Sequence, residues 1–491
     1  MASSRPGVVG ASIVTALSLA VVAIAAAAAA AIFARMFGRS AETDGFFAAY
    51  SVYVLMVLVA TAARVVVLPP LVRAARQGTL ATETAAYGIS LAGVAVVLVF
   101  VSTFASVACA HLLTGALPNS AQQTAAHALV WLVPAGVMQL FVGLLASCLA
   151  VTDDYTTAAV ALAAGAVVAV IVLAAVGHAH GPVALAWGLV AGATLSLGVL
   201  LVAALRRLRP HHSLGGLRLR PGRRLWEVLQ GASVPLALQA QYVIAVRFAS
   251  GLGLGRVTSF SYAYLLGASI VAVAASPFVL VSTVPLTRRG IDSRWAANHI
   301  VWSCWLALTL VPVAAGVFSL VGSRILRGVL GPAYGGETAS SLGRLVVYLS
   351  PWMLVSVAVA VVLPLLFVVS RRRRLPLLGL AAVVVAVPIE WAGTEWFRLS
   401  GLAVGLAVAT TAVLAALLVS LSRQTLVRVA GALTVPAVLN GGLALVSFLV
   451  AARFLPSILA AVAGALLYAS LLAALRPREL RAAWRYMRTL D

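Results

Sequence analysis

Phe46-Phe47-Ala48-Ala49-Tyr50, running on to Pro70-Leu71-Val72-Arg73, is met again later in the chain as Phe260-Ser261-Tyr262-Ala263-Tyr264, running on to Pro285-Leu286-Thr287-Arg288. The two anchors keep the same spacing to within one residue, so a single gap aligns them. Helices rich in alanine, valine and leucine resemble one another by composition alone. Composition does not explain a shared Pro-Leu-x-Arg at a helix end. A duplicated helical bundle is a common way to build a transporter, with the substrate held between the copies.

The rest of the chain agrees with a membrane setting. Its 491 residues are 63% hydrophobic and 9% charged, with a mean hydropathy of +1.08. A soluble protein carries roughly 25% charged residues. The expected fold class is therefore an all-α polytopic membrane protein with no soluble domain. The net charge of +22 comes from 34 arginines, with no lysine. These arginines sit between apolar runs, so their expected partners are anionic membrane lipids rather than nucleic acid. Cys109, Cys148 and Cys304 fall in apolar runs and have neither metal-type nor disulfide spacing. The N-terminal apolar run is too long for an ordinary signal peptide and reads as an uncleaved first helix.

About 20 apolar residues cross a ~30 Å hydrocarbon core. Fourteen segments qualify: 8–35, 45–72, 85–112, 126–150, 156–178, 182–205, 225–251, 257–286, 295–321, 341–370, 376–394, 399–421, 429–452 and 455–475. With the N-terminus inside, most arginines fall on the cytoplasmic side, as the positive-inside rule requires. They are Arg5, Arg73, Arg76, the run from Arg206 to Arg224, Arg288, Arg289, Arg294, Arg371 to Arg374, Arg423, Arg428 and the tail. Both termini are thus expected to be cytoplasmic. The second and eighth segments carry the doubled pattern and run in the same direction, so the repeat is parallel. The expected organisation has six-helix halves at 1–205 and 225–421, joined by a basic linker at 206–224. Two further helices follow at 422–475. A basic amphipathic tail at 476–491 is expected to lie on the inner leaflet.

Arg35-Met36-Phe37-Gly38, followed by Thr43-Asp44-Gly45-Phe46-Phe47-Ala48-Ala49, resembles the lipid II flippase (MviN-like) family. That family belongs to the multidrug/oligosaccharidyl-lipid/polysaccharide flippase superfamily. Ser261-Tyr262-Ala263-Tyr264-Leu265 and Val284-Pro285-Leu286 resemble the family's eighth helix, and a layout of twelve plus two helices fits as well. The family's own arginines fall here at Ala29, near Val57 and Leu58, and near Leu265. The resemblance therefore implies a divergent member that moves a lipid-linked cell-wall or polysaccharide precursor by alternating access, with cell-wall synthesis enzymes as possible partners. Two alternatives stay open: a cation-coupled multidrug exporter of the same fold, and a non-transporting scaffold for cell-wall enzymes.

Charged and polar residues within spans are the candidate substrate-binding groups, because a charge deep in a bilayer needs a cavity or a partner. Arg64 is the deepest; it either binds an anionic head group or snorkels to the inner interface. Arg247 lies toward the outer end of its helix. Gln239 and Gln241 on that helix either wall a polar cavity or bond neighbouring helices. Arg35 and Asp44 lie near the outer surface, as substrate groups or as a pair with each other. Tyr262, with Tyr50 and Tyr264, either stacks on sugars or packs. Guanidinium suits bidentate recognition of phosphate. Glu390 is the best-placed acid for ion coupling, against an interfacial reading. Asp153-Asp154 reads as a structural turn, and His178 with His180 lacks a third metal ligand. No nucleophile motif, phosphate loop or metal cluster is present, so no enzyme activity, cofactor or metal is expected.

Overall fold

The computed structural model describes residues 8–208, 221–289, 293–368, 374–476, 478–479 and 481–482. Arg5, most of the basic linker, Arg371 to Arg373 and most of the C-terminal tail lie outside the described residues. Among those described there is helix and no strand. The chain divides into two compact units, Met1–Val257 and Thr258–Asp491.

The first unit holds α1 (Val8–Phe37), α2 (Ala41–Arg76), α3 (Leu80–Phe104), α4 (Ser106–Thr114), α5 (Asn119–Val151), α6 (Tyr155–His180), α7 (Val183–Arg207) and α8 (Pro221–Ser250). Gly38, at φ 59°, ends α1. Ser40 then caps α2: its hydroxyl accepts from the Thr43 N–H at 3.2 Å, and its own N–H donates to the Thr43 hydroxyl at 2.8 Å. Such a reciprocal cap satisfies two of the donors that a helix start leaves open. α2 packs on α5 and α8, while α6 lies between α1 and α7. One apolar cluster joins Val67 and Leu71 of α2 with Tyr87, Leu91, Leu144, Cys148 and Val228.

Small residues bring α6 and α7 together. A β-carbon on Gly165 would strike Gly192, and one on Gly188 would strike Ala169. The Ser196 hydroxyl donates to the Ala161 carbonyl across the contact at 3.0 Å. The alanine- and glycine-rich sequence of these two helices is thus used for close approach.

α8 has a place that its sequence position does not suggest. Expected to open the second half, it packs against α2, α3 and α4 in the first unit. Compactness and duplication are separate properties, and this grouping bears on the first alone.

The second unit holds α9 (Arg256–Arg289, which begins at the junction), α10 (Ser293–Leu330), a 3-10 turn (Pro332–Tyr334), α11 (Gly336–Tyr348), α12 (Ser350–Val368), α13 (Leu375–Leu421), α14 (Arg423–Phe454) and α15 (Ser457–Leu475). α13 is two helices. Arg398 is non-helical at φ 52° and ψ −130°, and the chain folds back there. A β-carbon on Gly401 would strike the Gly393 carbonyl, and one on Gly405 would touch Glu390. In a straight helix the first of these pairs would be about 12 Å apart at 1.5 Å per residue. The Phe448 ring of α14 fills the space left by Gly316 of α10 and Gly464 of α15, and so fastens three helices.

In their described residues all fourteen expected segments lie mainly on helix, though they do not map one to one onto the fifteen α-helices. By length and composition, ten described helices can cross a membrane, or eleven if α11 and α12, bent by 41°, form one span. The third expected segment is broken at Ala105 into α3 and α4, and α13 carries two segments in one. α8 and α9 are not among the ten.

Candidate functional site

α2 supplies the frame. Its buried stripe runs through Tyr53, Met56, Ala60, Ala63, Val67 and Leu71. The adjacent stripe, roughly 100° round the helix, comprises Tyr50, Val54, Val57, Thr61, Arg64 and Leu68, and is half-buried at the start and exposed from Thr61 on. A helix turns once per 3.6 residues, so these residues share one face.

Arg64 is on that exposed face. Gly143 of α5 makes room for it: a β-carbon there would lie 3.2 Å from the Arg64 Cγ and 3.2 Å from the Ala60 carbonyl oxygen. The aliphatic stem therefore rests on the α5 backbone and the guanidinium projects beyond it, as long basic side chains do on apolar surfaces. No hydrogen bond or ion pair reaches Arg64 among the described residues. Above it, Phe33, Phe46, Phe47, Tyr50 and Tyr53 form a continuous set of ring contacts, with Tyr50 stacked on Phe46 at 5.9 Å.

Arg247 is elsewhere. Its guanidinium lies against the Gly115 backbone, where a β-carbon would overlap it, and its Nη1 is 3.4 Å from the Ser250 hydroxyl. Gly115 (φ 57°) ends α4. The same end of this unit carries Asp44, which is fully buried, with Oδ2 accepting from the Gly255 N–H. Arg39 donates to the Gly255 carbonyl through Nε at 3.3 Å and Nη2 at 3.0 Å. The sequence pointed to Arg35 as the partner of Asp44. The structure adds the Gly255 backbone and brings in Arg39. Arg35 is exposed at the end of α1.

The other candidate residues are packed. Gln239 and Gln241 are buried on α8, which suits bonding between helices better than a cavity wall. Tyr262 is buried edge-to-face on Tyr334 at 5.5 Å, and Tyr264 lies 4.8 Å from Trp352. Their rings are packing groups in the second unit.

A second polar cluster marks the opposite end of the first unit. Arg224 of α8 holds Glu83 of α3 in two contacts, at 2.9 and 3.3 Å, and its guanidinium carbon lies 5.5 Å from the Tyr87 ring centre. The Tyr87 hydroxyl donates to Glu227 at 3.3 Å, and Arg223 pairs with Glu227 at 3.2 Å. Asp154 caps α6 through the Thr157 N–H and pairs with Arg207 at 2.9 Å, so the Asp153-Asp154 turn is structural. His180 lies 4.7 Å from the Trp187 ring, and no metal-binding group of side chains occurs among the described residues.

Glu390 is not interfacial. It is fully buried inside the α13 hairpin beside Gly405, and neither carboxyl oxygen has a hydrogen-bond partner among the described residues. Its backbone carbonyl accepts from the Thr394 hydroxyl at 2.6 Å. Sequence reasoning missed this burial because the fold-back at Arg398 is what encloses it.

No family model matches the chain, and no curated protein matches it. Solved structures do. The lipid II flippase MurJ in an inward closed conformation aligns over 95% of this chain and 100% of its own, at 14% identity and a TM-score of 0.72. An inward-facing multidrug resistance MATE family transporter of the MOP superfamily aligns over 84% of this chain and 98% of its own, at 13% identity and a TM-score of 0.63. A MOP superfamily transporter from Pyrococcus furiosus aligns over 85% of this chain and 95% of its own, at 14% identity and a TM-score of 0.61. These neighbours are membrane transporters and not enzymes. The chain is an all-helical membrane protein with the fold of the multidrug/oligosaccharidyl-lipid/polysaccharide transporters.

Proposed function

We propose that the protein is a flippase that carries a lipid-linked cell-wall or polysaccharide precursor across the cytoplasmic membrane by alternating access. The observation that carries the reading is Arg64: an exposed guanidinium on a spanning helix, seated on Gly143, with no acid or hydrogen-bond partner among the described residues. A charge at the bilayer centre costs at least ~2.5–3.5 kcal/mol on insertion scales, so it usually meets a cavity or an anionic ligand. The likeness to a lipid II flippase supports a lipid cargo, and the MATE likeness supports transport more broadly.

We take the Glu83 end as cytoplasmic. Arg73, Arg76, Arg206, Arg207, Arg223 and Arg224 gather there, as the positive-inside rule requires. Gly143 then lies about 12 Å from the cytoplasmic end of α5 at 1.5 Å per residue. A lipid phosphate drawn in from the inner leaflet meets Arg64 at that depth. In this reading 1–205 and 225–421 are copies of one six-helix unit, with 422–475 added.

The test is native mass spectrometry of the gently purified protein and its Arg64→Ala variant. A copurified polyprenyl-linked glycan on the wild type, lost in the variant, is expected. A variant that keeps all its bound lipid would remove Arg64 from the mechanism.

Glu390 favours a second reading, a cation-coupled exporter of the same fold. A carboxyl enclosed without partners is the type of group that such coupling uses, and burial of this kind is costly for a purely structural acid. Efflux of organic cations driven by a proton gradient, lost in Glu390→Gln, would select this reading. A protein that shows neither activity and holds a stable cell-wall enzyme would be a scaffold.

A further inference from the structure

The site around Arg64 also bears on which lipid is carried, provided that the flippase reading holds. Arg64 lies about three turns from the end of α2. Every other arginine of the described helices is within about two turns of a helix end or of the turn at Arg398. Arg247 is no second ligand. It lies at the Gly115 and Asp44 end, while Arg64 is twenty residues down α2 from Asp44, so the two guanidiniums are on the order of 20 Å apart. The phosphates of a pyrophosphate share a bridging oxygen and cannot span that gap.

Four other cations of the first unit have partners, and Arg73, Arg76 and Arg206 lie in the last turns of α2 and α7. Arg207 pairs with Asp154, Arg223 with Glu227 and Arg224 with Glu83. Arg39 holds the Gly255 carbonyl. The polar groups beside Arg64 are also engaged with backbone: Thr61 donates to the Val57 carbonyl at 3.0 Å, and Ser147 donates to the Gly143 carbonyl at 2.8 Å.

We propose that the cargo presents a single phosphate at Arg64, and that the site therefore takes a lipid phosphomonoester or phosphodiester in preference to a lipid pyrophosphate. One guanidinium forms one bidentate pair and compensates about one charge. A second phosphate would enter with no further cation beside Arg64 among the described residues of the first unit, and an uncompensated charge in a membrane is costly.

The experiment measures binding of undecaprenyl phosphate and undecaprenyl pyrophosphate to the full-length protein in neutral-lipid nanodiscs. Phosphatidylglycerol and inorganic phosphate serve as competitors. The monophosphate is expected to bind at least about tenfold more tightly, since a single charge-assisted contact in a dry site contributes about that much. Arg64→Ala is expected to abolish the preference, and Arg64→Lys to weaken it. Thr61→Arg places a second guanidinium one turn away on the same face and is expected to raise pyrophosphate affinity selectively. Thermal melting checks that each variant is folded.

Equal or tighter pyrophosphate binding by the wild type would overturn the one-phosphate inference and leave the flippase reading standing. Binding of neither anchor would overturn both. Full competition by phosphatidylglycerol, itself a lipid phosphodiester, would keep the one-phosphate inference and overturn the polyprenyl cargo of the flippase reading; full competition by inorganic phosphate would identify a free-anion site and overturn the inference.

Discussion

Arg64 and Gly143 work as a pair. The arginine is legible in sequence, because one charge in a long apolar run stands out. The glycine is not, because its use depends on which helix lies opposite and at what height. A Gly143→Val substitution presses a branched side chain against the Ala60 carbonyl and the Arg64 stem. It is expected to destabilise the protein by about 1–3 kcal/mol, the usual effect of overpacking. It should also displace the guanidinium, so bound lipid falls while helical content is kept. Circular dichroism and lipid binding measured on the same preparation check this, and unchanged binding would show that Arg64 does not need its seat. Gln239, Gln241 and Tyr262 teach the opposite lesson. Their chemistry allows either a cavity wall or a bond between helices, and only the folded chain shows that all three are buried.

At the scale of elements, helix existence was well read from apolar runs, while breaks and neighbours were not. Ala105 interrupts a helix with no proline nearby, Leu349 does so two residues before Pro351, and Arg398 turns the chain inside what looks like two spans joined by a short polar link. Nothing local in the sequence marks Arg398, a non-glycine at positive φ, as the turn. α8 shows the same limit, since its register on α3 rests on Glu83, Tyr87, Arg224 and Glu227, residues far apart in sequence. Glu83 and Arg224 are both largely shielded, and the contact is two-pronged. A double-mutant cycle of Glu83→Gln and Arg224→Gln is expected to give a coupling of about 1 kcal/mol, at the upper end for exposed ion pairs. Thermal unfolding in detergent measures it. A coupling near zero would mean that the apolar contacts of α8 with α2 and α3 alone set its place.

At the scale of the whole molecule, the positive-inside rule predicts a side for every turn from the arginine distribution. A single cysteine at Gln77, in a chain with Cys109, Cys148 and Cys304 replaced, should react with an impermeant maleimide only from the cytoplasmic side. A cysteine at His180 should react only from outside. Labelling of both from one face would overturn the span count between them and the orientation with it. The doubled pattern that suggested a transporter remains the best sequence sign of the architecture. Its flanks place Tyr50 and Arg64 on one face of α2, while its second copy puts Tyr262 and Tyr264 into packing.

Gly255 illustrates how a loop can lose the freedom that its composition suggests. Gly251, Gly253 and Gly255 fall within five residues, a run that on its own reads as a swivel. Yet Asp44 takes the N–H of Gly255 and Arg39 takes its carbonyl, so the peptide groups on both sides of its α-carbon are held by side chains from one helix turn. Both of its backbone torsions are thereby fixed, and the Arg39 guanidinium fills the space where a side chain would stand. The most permissive residue type in the chain becomes a rivet at the end of the connection between α8 and α9.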